Sequence, residues 1–218
     1  MTGDAPLSLD FLVRVPTGSD GPLPLVIVMH GRGADANDLA EIAPLLDAGY
    51  RFVFPNAPKP FEPMPGMTFG YSWFDGWPPA GDSFTQSSDL LLRFIDEAVE
   101  RFAPPSGKLA ICGFSQGGMM ALDAGFRTEK PLAGIVCMSG AVNENALPDL
   151  DAHRDRPVLI VHGTSDDMIP VIAARRTRRV LEDHGVGVEF HEFEMGHFVT
   201  PESLSVVADF LRRCFGRH

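Results

Sequence analysis

The sequence predicts an α/β fold in which a mostly parallel central sheet carries helices on both faces. Short apolar runs such as 23–29 and 157–161 are rich in β-branched residues, as strands covered on both faces are. Amphipathic stretches with apolar residues three or four positions apart separate these runs, which indicates surface helices. Strands that alternate with helices form parallel sheets. Because no linker-like boundary interrupts the pattern, we expect 1–218 to form a single domain.

In the first half of the chain, alternating apolar residues at 7–15 predict an opening strand. The run LPLVIVM at 23–29 predicts a fully buried strand. A helix with an Asp or Asn cap is expected at 37–46, and RFVFP at 51–55 predicts the next strand. The stretch 56–84 is rich in proline, glycine and large aromatic residues. We expect it to be an ordered loop without regular structure that forms a wall of a pocket.

The second half repeats the alternation of helix and strand. An apolar stripe at 87–102 predicts a helix. The run at 109–112 predicts a buried strand, and small and apolar residues from Gly117 onward predict the helix after it. By the same criteria, further strands are expected at 132–138, 157–161 and 188–193, and further helices at 171–184 and 202–215.

A G-x-S-x-G motif at 113–117 lies between the strand at 109–112 and the following helix. A strand that turns directly into a helix holds the intervening residue in a strained conformation, and glycines on both sides let strand and helix approach closely. Ser115 would then project from the tip of the sheet with its hydroxyl exposed, which indicates a nucleophile. The alternative is a tight glycine-rich turn with an incidental serine.

A serine hydroxyl needs a base, and the base needs a third group to orient it. Asp166 follows the strand at 157–161, and His197 follows the strand at 188–193, so both are expected at the carboxyl end of the sheet. The order Ser115, Asp166, His197 is the order of an α/β-hydrolase fold. The sequence therefore predicts a serine nucleophile, an acid and a base at one edge of the sheet.

Some assignments near these residues remain open. Asp167 adjoins Asp166 and is an alternative acid. His30 and His162 each precede a glycine at a strand end, and we expect them to bond loop backbone rather than to react. The oxyanion of an acyl-transfer intermediate needs backbone N–H donors. Gln116, which follows the nucleophile, and Arg32, in the loop after the second strand, are expected to supply them.

Composition excludes several classes of function. The formal charge of −11 disfavours binding to nucleic acid, and the arginine-rich stretch 175–179 is expected to be a solvated helix face. Three cysteines without a C-x-x-C motif favour a reducing compartment, so we expect a cytoplasmic location. No signal peptide and no apolar stretch long enough to span a membrane is evident. The pattern shows no metal-ligand spacing such as H-E-x-x-H, and neither metal nor organic cofactor is expected.

Six segments, in order along nearly the whole chain, resemble the phospholipase/carboxylesterase family of α/β-hydrolases, and in particular its acyl-protein thioesterase-like branch. They are VIVMHGRG at 26–33, FPNAP at 54–58, YSWFD at 71–75, GFSQGG at 113–118, HGTSDDMIP at 162–170 and MGH at 195–197.

The resemblance implies a fold without a large cap domain and hydrolysis of carboxylic esters, and sometimes thioesters, of short to medium acyl groups. It implies the triad Ser115, Asp166 and His197 and the oxyanion donors Arg32 and Gln116. It also places Trp73, Met168 and Ile169 on segments that flank the acyl pocket.

Other hypotheses remain at this point. A lysophospholipase or acyl-protein thioesterase, a dienelactone-type hydrolase and a peptidase are alternatives among the enzymes. A doubly wound nucleotide-binding domain would leave Asp166 and His197 without a role, and it lacks the G-x-G-x-x-G fingerprint. A hydrolase-fold binding protein without catalysis is a further alternative. The expected partner is a small-molecule ester, and the aromatic stretch 56–84 could also serve a homodimer contact.

Overall fold

The computed structural model describes residues 6–18, 21–46, 49–77, 79 and 81–216. The strands in chain order are β1 (Phe11–Arg14), β2 (Leu25–Met29), β3 (Arg51–Pro55), β4 (Lys59–Pro60), β5 (Tyr71–Ser72), β6 (Leu109–Phe114), β7 (Gly134–Met138), β8 (Val158–Gly163) and β9 (Val188–Phe193). The helices are α1 (Ala43–Leu46), α2 (Ser83–Phe102), α3 (Gln116–Arg127), α4 (Val171–Asp183) and α5 (Pro201–Cys214). Short 3-10 helices lie at Leu39–Ile42, Glu144–Ala146 and Asp151–His153.

Seven strands form the central sheet in the order β1-β3-β2-β6-β7-β8-β9. Only β1 runs antiparallel, pairing with β3 at one edge, while the other neighbouring strands are parallel. The predicted α/β fold with a mostly parallel sheet is therefore confirmed. In such a sheet the carboxyl ends of the parallel strands lie at one edge, where ligands bind.

Two hydrophobic layers cover the two faces of the sheet. Helices α2, α3 and α4 pack on one face, where Leu91, Met120 and Leu181 are buried. Helices α1 and α5 pack on the other face, where Leu46 and Leu211 are buried. Strands β2, β6, β7 and β8 are buried along their length, apart from the half-buried Phe114 at the end of β6. This burial explains why the sequences of these strands are continuous apolar runs rather than alternating apolar and polar residues.

The helix predicted at 37–46 is broken into two short pieces, the 3-10 helix Leu39–Ile42 and α1. Pro44 lacks the backbone N–H that would donate to the carbonyl of Ala40, so a continuous α-helix cannot pass through this point. Helix α2 begins at Ser83, four residues before the predicted start.

The stretch 56–84, expected to lack regular structure, contains the antiparallel pair β4–β5. We call residues 59–77 the arm. Further backbone bonds extend the pairing within it: the N–H of Phe61 donates to the carbonyl of Gly70, and the N–H of Phe69 donates to that of Phe61, both at 2.8 Å. The arm lies against the loop after β2, because the N–H of Gly33 donates to the carbonyl of Tyr71 at 2.8 Å. Within the described residues, no helix combines the length and apolar character needed to cross a bilayer.

Candidate active site

Ser115 lies at the turn between β6 and α3, with φ 56° and ψ −121°. For a residue with a side chain, such a conformation costs on the order of 1–3 kcal/mol and persists only where the surroundings enforce it. Here the N–H of Ser115 donates to the carbonyl of Met138 on the neighbouring strand β7, at 2.9 Å. A Cβ atom at Gly113 or Gly117 would lie far inside 3.0 Å of backbone atoms. The predicted strand-to-helix elbow is therefore present, and it projects the Ser115 side chain from the sheet edge.

The three residues predicted as nucleophile, base and acid lie in one hydrogen-bonded row. His197 Nε2 is 2.8 Å from Ser115 Oγ, and His197 Nδ1 is 2.7 Å from Asp166 Oδ2. Ser115 follows β6, Asp166 follows β8 and His197 follows β9, so the row spans the carboxyl ends of three strands. With Nδ1 donating to the carboxylate, Nε2 is left to accept the serine proton.

Asp166 is buried, and its carboxylate is fully hydrogen-bonded. Burial alone would raise its pKa, but donors outweigh it and hold the pKa below its usual value. Those donors are the backbone N–H of Ile169 at 2.8 Å and that of Met168 at 3.0 Å, both to Oδ1, together with His197. Asp167, the alternative acid, has an exposed side chain and makes no contact with His197 among the described hydrogen bonds. The carboxylate beside the imidazole is thus that of Asp166.

Two further histidines are buried at the carboxyl ends of strands, and one of them, His162, lies next to Asp166. The Nε2 of His162 lies 2.8 Å from the carbonyl of Ile169 and 3.4 Å from Asp166 Oδ2. The Nε2 of His30 accepts from the N–H of Ala57 at 3.0 Å, so its Nδ1 carries the proton and donates to the carbonyl of Gly31 at 2.7 Å. Both imidazoles bond loop backbone, as expected from the sequence. Burial lowers the pKa of each, because it penalises the charged ring.

These buried imidazoles predict a pH dependence of stability. In the unfolded chain a histidine binds a proton below about pH 6.5, whereas His30 and His162 stay neutral in the folded protein until lower pH. The unfolded state therefore binds more protons in this window, and the free energy of unfolding falls as the pH drops below about 6.5. Each histidine contributes a slope of up to about 1.4 kcal/mol per pH unit. Urea unfolding at pH 7.5 and 5.5 measures this slope.

The matched variants for this experiment are His30→Gln and His153→Gln. His30→Gln removes one buried imidazole and should reduce the difference in unfolding free energy between the two pH values. His153→Gln, at a partly buried position in a 3-10 helix, is the control, and His30→Gln should reduce the difference by more than this control does. A difference that is equally large in wild type and in His30→Gln would contradict the assignment.

The two residues expected to supply oxyanion donors, Arg32 and Gln116, both line the cavity beside Ser115. Gln116 opens α3, where the first N–H groups of a helix have no partner within the helix. Neither the Gln116 nor the Arg32 amide donates to an acceptor among the described hydrogen bonds. The guanidinium of Arg32 lies over the Phe61 ring, 4.6 Å from its centroid, and is thereby held against the arm. Both amides thus remain available at the site.

The Gln116 side chain has a second role that the sequence did not reveal. Its Oε1 accepts from the N–H of Trp73 at 3.0 Å and from Ser72 Oγ at 3.2 Å, and its Nε2 donates to the carbonyl of Phe74 at 2.8 Å. The indole N–H of Trp73 then donates to the carbonyl of His30 at 3.0 Å. The end of the arm is fixed in this way to both the elbow and the loop after β2.

This network corrects one expectation. Trp73, placed beside the acyl pocket by the resemblance, is completely buried beneath the site and does not line the cavity next to Ser115. Its neighbour Phe74 and the partly exposed Trp77 line that cavity instead. Met168 and Ile169 do line it, as expected.

The cavity beside Ser115 has a volume of about 100 Å³. Its floor and walls are mostly apolar, and Ser115, His197 and both expected oxyanion residues line it. Apart from Ser115, the lining residues are Arg32, Phe74, Gly76, Trp77, Gln116, Met119, Met168, Ile169 and His197. The arrangement can bind a small apolar group with its carbonyl carbon at the serine hydroxyl. Within the described residues, no group of three or more His, Cys, Asp or Glu side chains is arranged to hold a metal ion.

Rival nucleophiles are absent from this site. The three cysteines are free thiols, and Cys112 and Cys137 are buried in the core. Burial raises the pKa of the Cys137 thiol to about 12 and that of Cys214 to about 11. A thiol that stays protonated at neutral pH is a poor nucleophile. The dienelactone-type alternative, which would use a cysteine nucleophile, is therefore not favoured.

Known proteins resemble this chain in both sequence and structure. It is 28% identical to acyl-protein thioesterase 1 of Candida albicans, over 92% of this chain and 96% of that protein. It is 29% identical to lysophospholipase-like protein 1 of Mus musculus, over 76% of each. The structure of esterase PE8 superposes with a TM-score of 0.80 at 28% identity, covering 96% of this chain and 100% of that one.

A carboxylesterase from Mesorhizobium loti shares the fold, with a TM-score of 0.81 at 18% identity over 94% of this chain and 95% of that one. The model of the Phospholipase/Carboxylesterase family matches residues 13–215, nearly the whole chain. The chain belongs to the phospholipase/carboxylesterase family.

Proposed function

We propose that this chain is a serine hydrolase that cleaves carboxylic esters, and thioesters of similar size, with short to medium acyl groups. The observation that carries the proposal is the row from Asp166 through His197 to Ser115, with bonds of 2.7 and 2.8 Å, beside a small apolar cavity. The relatives named as acyl-protein thioesterases and esterases support the same chemistry.

In the proposed mechanism, His197 takes the proton of Ser115 as Oγ attacks the acyl carbonyl. The charged imidazole is stabilised by Asp166, whose hydrogen bonds keep it ionised. The tetrahedral oxyanion accepts hydrogen bonds from the amides of Arg32 and Gln116. His197 then gives its proton to the departing alcohol or thiol, and an acyl-enzyme remains on Ser115. Water activated by His197 releases the acid and restores the serine.

The size of the cavity sets an expectation for the acyl group. A cavity of about 150 Å³ holds a benzene molecule, so the 100 Å³ beside Ser115 accommodates about four carbon atoms. Unbranched acetyl to butanoyl esters should therefore fit. Lysophospholipid chains should not fit without displacing Met119 or Trp77, which line the cavity.

We expect kcat/KM for p-nitrophenyl esters to be highest between acetate and butanoate and to fall about tenfold or more by octanoate. The profile is measured at constant ionic strength, with Ser115→Ala as the blank. Met119→Ala, which enlarges the cavity, should move the maximum towards longer chains. A rate that rises steadily to long chains would contradict the short-acyl assignment and favour a lipid or acyl-protein substrate.

The proposed place of action is the cytoplasm. All three cysteines are free thiols, and none of their sulfur atoms is paired in a disulfide. Disulfides form and persist mainly in oxidising compartments, so free thiols agree with a reducing one.

A further inference from the structure

A second cavity lies beside the first at the carboxyl edge of the sheet. Its volume is about 300 Å³, three times that of the cavity beside Ser115. Its lining is mostly polar and includes Asn143, Glu144, Asn145 and Arg176. None of the triad residues lines it.

Trp77 is the wall that the two cavities share. Its side chain comes from the end of the arm stretch and is 45% exposed, unlike the fully buried Trp73. A group bound at Ser115 that extends past this indole therefore enters the polar cavity. The flat ring offers an apolar surface for the part of the substrate that crosses it.

The position of the polar cavity indicates which half of an ester reaches it. Val142 packs in the hydrophobic layer of α2, α3 and α4, and its N–H donates to Thr177 Oγ1 on α4 at 3.0 Å. The loop that carries His197 belongs to the opposite layer, where Met195 packs with α5. The leaving group takes its proton from His197 and so departs on the α5 side. The group that extends to the polar cavity is then the far end of the acyl chain.

The charges in the polar cavity cancel. Arg176 forms a two-pronged ion pair with Glu144, in which Nη2 and Oε2 are 2.7 Å apart. An anionic ligand would be repelled by Glu144, and a cationic ligand would be repelled by Arg176. The Asn145 side chain makes no described hydrogen bond, and an amide offers both donors and an acceptor. Such a lining fits a neutral group that both donates and accepts hydrogen bonds, such as an amide or a hydroxyl.

We propose that the preferred substrates are esters whose acyl chain has about four apolar carbons followed by a neutral amide or hydroxyl group, which binds beyond Trp77 to Asn145 and Arg176. This inference rests on the proposed function, because it assigns the acyl group cleaved at Ser115. The short apolar segment fills the first cavity, and the polar group fills the second.

The test compares p-nitrophenyl esters that share a leaving group and differ at the far end of the acyl chain. The 4-acetamidobutanoate carries an amide, and 6-methylheptanoate is its apolar counterpart of the same shape. We expect kcat/KM for the amide to exceed that for the apolar ester about tenfold or more, because an apolar end displaces water from Asn145 and Arg176 without replacing its hydrogen bonds. The monoester of adipic acid, which ends in a carboxylate, should be a poorer substrate than the amide.

Arg176→Gln and Asn145→Ala should each reduce the preference for the amide about threefold to tenfold. Arg175→Gln is the matched control, because Arg175 makes a similar two-pronged pair with Glu192 but does not line the cavity. The Arg175→Gln variant should prefer the amide ester as strongly as the wild type does. Thermal unfolding checks that each variant is folded.

The outcomes separate the inference from the proposed function. If p-nitrophenyl acetate is cleaved but the amide shows no advantage, the polar subsite is wrong and the hydrolase assignment stands. An advantage that survives both Arg176→Gln and Asn145→Ala also overturns the subsite. If the adipate monoester has the highest kcat/KM of the three esters, the cavity binds an anion and the neutral-group assignment is wrong. If no ester is cleaved, the proposed function and the inference fail together.

Discussion

Ser115→Ala should lower kcat for p-nitrophenyl acetate by at least about 10⁴-fold, because no other hydroxyl lies within hydrogen-bond reach of His197 Nε2 in the described structure. The residual rate would come from binding and the two proposed oxyanion amides. Residues that act as one unit are not additive. The double variant Ser115→Ala/His197→Ala should therefore be about as slow as Ser115→Ala alone. Initial rates under saturating ester, corrected for spontaneous hydrolysis, measure both variants.

Ser139→Ala is the matched control for this experiment. Ser139 also has a positive φ, of 48°, at the end of a central strand, and it is completely buried. Its Oγ has no hydrogen-bond partner within the described residues, so its loss should leave kcat within about twofold of wild type. If Ser115→Ala kept the wild-type rate, or if both variants lost activity equally, Ser115 would not be the nucleophile.

The triad could be predicted from sequence because each of its parts has a local signal. The glycines at 113 and 117 mark the elbow, and the apolar runs before Asp166 and His197 place those residues at strand ends. Since parallel strands present their carboxyl ends at one edge, the order of the strands along the chain was sufficient to bring the residues together. Predicting that these three residues meet did not depend on the conformation of any long loop.

The wall of the cavity could not be predicted in the same way. Trp73 and Trp77 both lie in the aromatic stretch, and nothing in their spacing tells which of them faces the substrate. The choice is made by the Gln116 side chain, which binds the backbone at Trp73 and Phe74 from more than 40 positions away in sequence. With that backbone fixed, the Trp73 indole turns inward to the His30 carbonyl, and Trp77 is left at the cavity.

The substitution with the largest expected effect on stability is Gly117→Ala. A Cβ atom at this position would lie far inside 3.0 Å of the Met29 carbonyl oxygen and also against that of His30. Both are backbone atoms of β2 and its following loop, so no side chain can move aside to make room. Helix α3 would have to separate from β2, and we expect a loss of more than about 4 kcal/mol in the free energy of unfolding.

Gly187→Ala provides the comparison, because a Cβ atom there meets nothing within 4 Å and the residue has no positive φ. Its effect should lie within about 1 kcal/mol of zero, since alanine also restricts the unfolded chain. Urea unfolding followed by circular dichroism measures both variants, and the yield of soluble protein serves if Gly117→Ala does not fold. A loss below about 1 kcal/mol for Gly117→Ala would mean that the elbow tolerates a side chain. The close approach of α3 to β2 would then not be what positions the Gln116 amide relative to the loop of Arg32 for the proposed oxyanion.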